Sequence, residues 1–270
     1  MEELNHGILL GSGTKNLYVG GTIPFEERLP SGDWRPFIPT HEKQRDPLET
    51  MACVSFSCNN SLEIQYKFFG IDINFSDRFL AKMSGTTPQG NYLDKVADTA
   101  RLVGLVLESE YPNNPKATTW NEYYKTISMD IINKAVPQPI WFEDIAVSGM
   151  KEALKQCPIQ IIITASHPNH AVTLVHIEGE TAHYVDHYNY QLKTTNVSNI
   201  HSGLKIVLKE PNMTNSLIVQ NGSEYGIFDP ATSPDGLTTL LRNRGIPTPL
   251  KPDGSLDFDK LPVTKKLVDA

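Results

Sequence analysis

Residues 53–70 read CVSFSCNNSLEIQYKFFG, and this stretch decides the fold because it places a cysteine at the start of a predicted helix. Apolar residues recur at helical spacing through Leu62, Ile64 and Phe68, and Gly70 interrupts the run. The pattern therefore predicts a helix that begins at Cys53 and ends before Gly70.

A cysteine at a helix N-terminus has a chemical consequence. The unpaired backbone N–H groups and the positive end of the helix dipole favour an anion there. We expect them to lower the pKa of the Cys53 thiol from roughly 8.5 toward neutrality, which would make it a strong nucleophile. The alternative is that Cys53 is a small packing residue, as buried free cysteines usually are.

Three short apolar runs in the second half of the chain predict neighbouring strands, at residues 158–163, 171–175 and 183–185. His170 stands immediately before the second run, and Asp186 directly follows the third. His167 competes with His170 for a chemical role, but no strand follows it at once. His170 and Asp186 are thus the candidate partners of Cys53.

The order of these segments resembles that of the papain-like cysteine peptidases, over about residues 30 to 210. Residues 53–57, with Glu63 ten residues after Cys53, are similar to the catalytic helix of that family. Four further segments carry the resemblance: Asp33-Trp34-Arg35, Pro39-Thr40, Lys43-Gln44 and Asn169-His170-Ala171-Val172.

The resemblance implies a role for each candidate residue. Cys53 would be the nucleophile, His170 the general base and acid, and Gln44 the side chain that stabilises the oxyanion. Gln44 lies nine residues before Cys53, whereas the family has six, so a three-residue insertion is assumed. Asp186 would orient the imidazole where the family has Asn, and Tyr188 would replace the shielding Trp. A carboxylate holds imidazolium at least as well as an amide, so a shifted pH optimum is expected.

The implied architecture is an α+β, papain-like fold. A helical subdomain carrying the Cys53 helix would pack against a β-barrel-like subdomain carrying His170 and Asp186, with the cleft between them. The predicted division is an N-terminal extension (1–29), a catalytic domain (30–212) and a small C-terminal module (213–270).

Local patterns predict further elements. Ser76 is expected to cap a helix, residues 92–104 to form an amphipathic helix stopped by Gly104, and residues 142–156 to form another helix. In the C-terminal module, residues 217–228 predict a hairpin and residues 233–243 a short helix.

Composition narrows the partners. The 270 residues carry a formal net charge of −7 and show no basic patch, which argues against a nucleic-acid partner. No run approaches the ~20 apolar residues of a membrane span, and the N-terminus lacks the pattern of a secretory signal. With only Cys53, Cys58 and Cys157 present, a disulfide scaffold is not expected, and a reducing compartment such as the cytoplasm fits best. Cys58 and Cys157 are predicted to be core residues.

Six of the eight histidines fall between His167 and His201, so a metal site is an alternative. The pairs His167/His170 and His183/His187 have ligand-like spacing. However, alternate strand residues point to opposite faces, and no compact Cys/His signature is present. We therefore predict no metal and no cofactor.

The expected activity is hydrolysis of a peptide or protein substrate through a thioester. Hydrolysis of peptidoglycan stem peptides is an alternative within the same chemistry. Only about thirty residues precede Asp33 and they are Gly-rich, so no helical propeptide of the family's usual kind is expected. A catalytically silent papain-like protein that binds peptide or builds a structure such as a virion is the rival class, because Gln44 is displaced and the segment before His170 is short. The oligomeric state is not predicted.

Overall fold

A computed structural model of the protein describes residues 8, 27–40, 43–44, 48–113, 116–164, 170–188, 191–209, 217–221 and 224–228. The chain divides into two compact units. One consists of residues 1–127 and 135–209, and the other of residues 128–134 and 210–270. The predicted boundary between residues 212 and 213 falls in a segment outside the described residues.

Helices dominate the first half of the larger unit. The α-helices there are α1 (Cys53–Phe68), α2 (Asp77–Met83), α3 (Leu93–Leu102) and α4 (Trp120–Tyr123). One further short α-helix of this unit, α6 (Met150–Ala153), lies later in the chain. Short 3-10 turns occupy Arg35–Phe37, Val147–Gly149 and Val197–Asn199. The predicted start and end of α1 are confirmed, and so is the predicted cap of α2, where Ser76 accepts the Phe79 N–H at 3.1 Å. Helix α3 lies within the predicted range 92–104.

Helix α1 is buried on all sides over Cys53 to Tyr66. Its polar side chains therefore need partners inside the protein. The Gln65 amide donates to the Ile206 carbonyl at 3.0 Å, and the Ser61 hydroxyl donates to the Pro158 carbonyl at 3.1 Å. These bonds join the helix to the sheet and fix its rotation about its own axis.

The second half of the larger unit forms a six-stranded antiparallel sheet with the order β1-β6-β2-β3-β4-β5. Its strands are β1 (Ile140–Ile145), β2 (Ile159–Ile163), β3 (His170–Glu178), β4 (Thr181–Asp186), β5 (Gln191–Asn196) and β6 (Ile200–Leu208). The three strands predicted around His170 are confirmed. Strand β3, which begins at His170, pairs with the shorter strands β2 and β4. Its pairing with β4 brings the end of β4 beside the start of β3.

An apolar layer lies between α1 and the sheet. It contains Ile64 from α1, Ile161 and Val172 from the sheet, and the fully buried Trp34, whose indole N–H donates to the Leu154 carbonyl at 2.6 Å. The segment that resembles the family's domain start is therefore anchored in this core. The core holds the N-terminus of α1 against the start of β3.

The helix predicted over residues 142–156 is wrong in its first half. Residues Ile140–Ile145 form β1, which pairs with β6 over its whole length from Ile140 opposite Leu208 to Ile145 opposite Gly203. The backbone groups of residues 140–145 form hydrogen bonds with the edge of β6. Local periodicity cannot predict this pairing, because β6 is about sixty residues away along the chain. Only the last part is helical, as α6, and its Met150, Ala153 and Leu154 are buried as the pattern indicated.

Gly104 shows why the helical segment before it ends there. Its φ is +101°, and a Cβ at this position would lie 2.3 Å from the Val136 carbonyl carbon. Only glycine fits both the left-handed conformation and the close backbone approach.

The smaller unit contains α5 (Met129–Ile132) and the strands β7 (Leu217–Asn221) and β8 (Glu224–Phe228). β7 and β8 pair antiparallel, with Leu217 opposite Phe228, so the predicted hairpin is confirmed for its strands. Its turn and the helix predicted over residues 233–243 lie outside the described residues. Among the helices described in either unit, none combines the length and apolar character needed to cross a bilayer.

Candidate active site

Cys53 is the first residue of α1 and is completely buried. The residue two positions earlier, Met51, has a φ of +53°, an uncommon conformation for a side chain of this size. The backbone N–H groups of Ala171 and Val54 lie close enough to the Cys53 sulfur to stabilise a negative charge on it. Since Ala171 directly follows His170, the thiol lies against the start of the strand that carries the candidate base.

The protonation of Cys53 differs from the sequence-based prediction. Burial raises the pKa of the thiol to about 12, and the nearby carboxylates of Glu49 and Asp186 add to the rise, whereas the Ala171 and Val54 N–H groups oppose it. The predicted lowering by the helix N-terminus is therefore wrong for this closed site, because the cost of burying a thiolate exceeds what the N–H groups return. At neutral pH the buried Cys53 is a thiol.

His170 and Asp186 form a buried pair. The imidazole Nε2 lies 3.0 Å from Asp186 Oδ1, and each side chain is 1% exposed. Burial by itself raises the pKa of Asp186, but the hydrogen bond and charge of His170, with Lys193 and the Tyr188 N–H, outweigh it and hold that pKa below its usual range. Asp186 is therefore ionised, as an orienting group for His170 must be.

Tyr188 covers this pair. Its ring meets the His170 ring edge to face with 4.7 Å between centroids, and its backbone N–H donates to Asp186 Oδ1 at 3.0 Å. The aromatic residue thus lies against the imidazole as the resemblance implied. Its hydroxyl donates to the Glu49 carboxylate, which joins the base to the loop before α1.

Gln44 is fully buried beside the same loop. Its backbone N–H donates to the His187 carbonyl at 3.0 Å, and its carbonyl accepts the Thr50 hydroxyl at 3.2 Å. The amide Nε2 donates to Glu49 Oε1 at 3.2 Å. Because this nitrogen carries two hydrogens, a second donor remains for a substrate oxygen.

Glu49 was missed by sequence reasoning, although it connects three parts of the site. One carboxylate oxygen accepts from Gln44 Nε2 and from the Met51 N–H at 2.9 Å, and the other accepts from the Tyr188 hydroxyl. No local pattern singles out this glutamate, since two of its partners lie in its own irregular loop and the third, Tyr188, is 139 residues away along the chain. It holds the amide of Gln44 next to the loop that presents Cys53.

Lys193 was also missed. Its ammonium lies 2.6 Å from Asp186 Oδ2. A signal existed in this case, because a hairpin between the predicted third strand and the next residues would place Lys193 opposite Tyr184, on the face that Asp186 shares.

Two further thiols and one further imidazole in the described residues are buried. Cys58 and Cys157 are fully buried, which confirms their prediction as core residues. Burial lowers the pKa of His187 to about 3, so its ring is neutral, and it lies 5.7 Å from the Phe56 ring. His167 lies outside the described residues, and within those described no group of three His, Cys, Asp or Glu side chains is arranged to hold a metal ion.

Comparison with known proteins identifies the fold but not a close relative. No protein-family model and no curated protein matches the sequence. Among solved structures, digestive procathepsin L 3 of Tenebrio molitor aligns with a TM-score of 0.53 at 18% identity, over 76% of each chain. The Amb a 11 cysteine protease of ragweed pollen, in its proform, aligns at 0.52 and 14% identity over 70% of this chain and 69% of its own.

The Carica candamarcensis cysteine protease CMS1MS2, solved with E-64, aligns at a TM-score of 0.51 and 11% identity. The alignment covers 66% of this chain and 98% of that protease. The protein therefore has the α+β fold of papain-like cysteine proteases, as the sequence predicted.

Proposed function

We propose that the protein is a cysteine peptidase that hydrolyses amide bonds of peptides or proteins. The observation that carries the proposal is the buried His170–Asp186 pair, which lies at the start of the strand whose Ala171 N–H acts on the Cys53 thiol. A nucleophile, a base and a group that orients the base are the three parts that thiol catalysis requires. The fold supports the same assignment.

The first step follows from the protonation states. Cys53 begins as a thiol, and its sulfur attacks the substrate carbonyl while the proton passes to the His170 imidazole. With Nε2 engaged by Asp186, Nδ1 is the ring nitrogen that takes this proton. Asp186, held ionised, stabilises the imidazolium that results.

The developing oxyanion needs donors that are already in place. The Cys53 backbone N–H, the first of α1, is one such donor, and the second hydrogen of Gln44 Nε2 adds a side-chain donor. His170 then protonates the departing amine, which leaves a thioester on Cys53. Water, deprotonated by His170, releases the acid and regenerates the thiol.

The raised pKa of Cys53 predicts how the free enzyme reacts. Because the thiol in the closed site is neutral, general-base proton transfer rather than a standing ion pair activates it. Substrate or solvent that replaces the buried surroundings of the sulfur lowers the cost of its ionisation. Labelling by a small electrophile is therefore expected to depend on His170.

The test combines labelling and turnover. Brief, substoichiometric iodoacetamide between about pH 5 and 8, followed by peptide mapping, compares the parent with Cys53→Ala, His170→Ala and the control Cys58→Ala, which removes a second buried thiol from the same helix. Label confined to Cys53 and dependent on His170, with peptide cleavage abolished only by the two site variants, supports the proposal. Labelling of Cys53 that ignores His170, with no cleavage of a diverse peptide library, contradicts it.

A silent peptide-binding protein is a second candidate because two observations favour it. The thiol is fully buried with a raised pKa, and a carboxylate engages the Gln44 amide. A library peptide that binds with a measurable Kd but is never cleaved, by the parent or by Glu49→Gln, would select this candidate.

A further inference from the structure

Asp186 stands where the resemblance would place a neutral amide, and the structure shows what accompanies the exchange. The two carboxylate oxygens have different partners. Oδ1 faces His170 Nε2 and the Tyr188 N–H, each at 3.0 Å, and Oδ2 faces the Lys193 ammonium at 2.6 Å. The carboxylate therefore bridges an imidazole and a cation.

The placement of Lys193 follows from strand register. In the β4–β5 pairing, Tyr184 is opposite Lys193 and Asp186 is opposite Gln191. Tyr184 and Asp186 are two residues apart and share a face, so Lys193 is the diagonal neighbour of Asp186 on that face. A long side chain spans such a diagonal, and the contact is built by the hairpin itself.

The burial of the partners determines what the contact does. Asp186 is 1% exposed, so its charge is poorly screened, and alone it would strongly favour the imidazolium form of His170. The Lys193 side chain is 26% exposed and retains part of its hydration. A cation on Oδ2 offsets the charge that His170 experiences from Oδ1 without a large desolvation cost.

The other titratable groups around the pair do not substitute for Lys193. Glu49, in the loop before α1, and Cys53, at the start of α1, are acids, so neither can supply a positive charge. His187, beside Asp186 on the chain, is neutral because burial lowers its pKa to about 3. Among the described residues, Lys193 is the lysine that forms an ion pair with Asp186.

We infer that Lys193 is a positioning residue that neutralises Asp186, so that the Asp186–Lys193 pair orients His170 as a neutral amide would. This inference rests on the proposed function. It explains how a carboxylate is tolerated there: His170 must give its proton to the leaving amine, and an unbalanced buried carboxylate would retain that proton. The shifted pH optimum predicted for an Asp in this place is, accordingly, not expected while Lys193 is present.

The test is a charge cycle with Lys193→Met, Asp186→Asn and the double variant. The first readout is the NMR titration of the His170 ring, which needs no substrate, and the second is the pH profile of kcat/KM. Lys193→Met should move the ring midpoint up by about one pH unit, since the carboxylate is then unbalanced. Asp186→Asn should move the midpoint down, because the positive charge of Lys193 then acts on the imidazole with no carboxylate to offset it.

The double variant decides between charge balance and structure. It removes both charges, so its midpoint should return close to that of the parent, in which the two charges offset each other. Lys193→Arg should also stay close to the parent. Lys205→Met is the matched control, because it removes a buried lysine paired with Glu143 on β1, away from the site, and should leave the titration unchanged.

The outcomes separate the two proposals. An unchanged midpoint in Lys193→Met, or a double variant no closer to the parent than Lys193→Met, overturns the inference. If Lys193→Met does not fold, the double variant is compared with Asp186→Asn: a higher midpoint in the double variant supports the inference, because the Lys193 charge then acts on the ring, and equal midpoints overturn it. If the cycle behaves as expected but no peptide is cleaved, the charge balance stands and the peptidase proposal fails.

Discussion

The two sides of the site are held in different ways. On the base side, strand register places His170, Asp186 and Lys193, and three groups surround the Asp186 carboxylate. On the nucleophile side, one partly exposed carboxylate, Glu49, accepts from the side-chain amide of Gln44 in the loop before α1, and the same loop includes Met51 at positive φ. The proposed base is thus built into the sheet, whereas the amide of the proposed oxyanion donor depends on a single side-chain contact.

The difference indicates where the protein can be tuned. A sheet register cannot slip by one residue without turning every side chain to the other face, so the base side resists change. A side-chain amide held by one carboxylate can change that hydrogen bond at small cost. Substitutions on the two sides should therefore differ in size and in kind.

The largest effect is expected from His170→Ala. It removes the group that takes and returns the proton, and general acid–base catalysis contributes about 10²–10⁴-fold. The measurement is kcat/KM on a cleaved peptide at pH 6 to 7. His176→Ala, on the same strand, is the control and should retain most of the activity; comparable losses in the two variants would contradict the assignment.

Gln44→Ala should cost less, about 10²-fold to 10³-fold in kcat, as is typical of one oxyanion donor. Substrate binding should change little, because the bond strengthens only as the oxyanion develops. Steady-state kinetics that separate kcat from KM test this. A variant that raises KM while kcat stays constant would show that Gln44 binds substrate instead.

Glu49→Gln should separate two properties that usually change together. Glu49 raises the pKa of Cys53, so its neutralisation should speed iodoacetamide labelling of Cys53 at a given pH. Turnover should fall about tenfold, because a weaker, uncharged acceptor holds the Gln44 amide. Labelling rate and kcat measured on the same preparation test the split, and parallel changes in both would refute it.

The nucleophile side should weaken in alkali. The folded pKa of Cys53 is raised to about 12, so the stability linked to its neutral form is complete below the unfolded value of roughly 8.5 and is lost as pH rises toward 12. Relative to Cys53→Ala, the parent should lose roughly 1 kcal/mol of unfolding free energy per pH unit above 9. Denaturant unfolding between pH 8 and 10.5 measures the slope, and parallel curves would exclude the effect.

The base side should weaken in acid, with the smallest effect near neutrality. The folded pKa of Asp186 is lowered, so its stability contribution is present above the unfolded value of roughly 3.9 and is lost as pH falls below it. The stability difference between the parent and Asp186→Asn should change below about pH 4, as the carboxylate is protonated. Between pH 5 and 7 it should change only by the amount that the shifted midpoint of the His170 ring in the same variant accounts for, and a larger change there would mean that a further group is being titrated.

Local signals predicted much of this molecule. The Cys53 helix, the Ser76 cap, the stop at Gly104 and the strands on either side of His170 all depend on residues close in sequence. Such elements are decided by periodicity, caps and turns, which a single sequence carries. The helix predicted for residues 142–156 was wrong because β6 offered its edge to residues 140–145.

The sequence by itself determined which residues are the candidates for catalysis and their order along the chain. Cys53 begins a helix, His170 begins a strand and Asp186 follows, and these positions come from local patterns and from the resemblance that they carry. Only the tertiary structure decided the electrostatics of the site. Burial raised the pKa of the Cys53 thiol instead of leaving it to the helix N-terminus, and Glu49 and Lys193 joined the site from segments that local patterns do not connect. The reason is that solvation and charge depend on everything within a few ångströms in space, and most of those neighbours are distant along the chain.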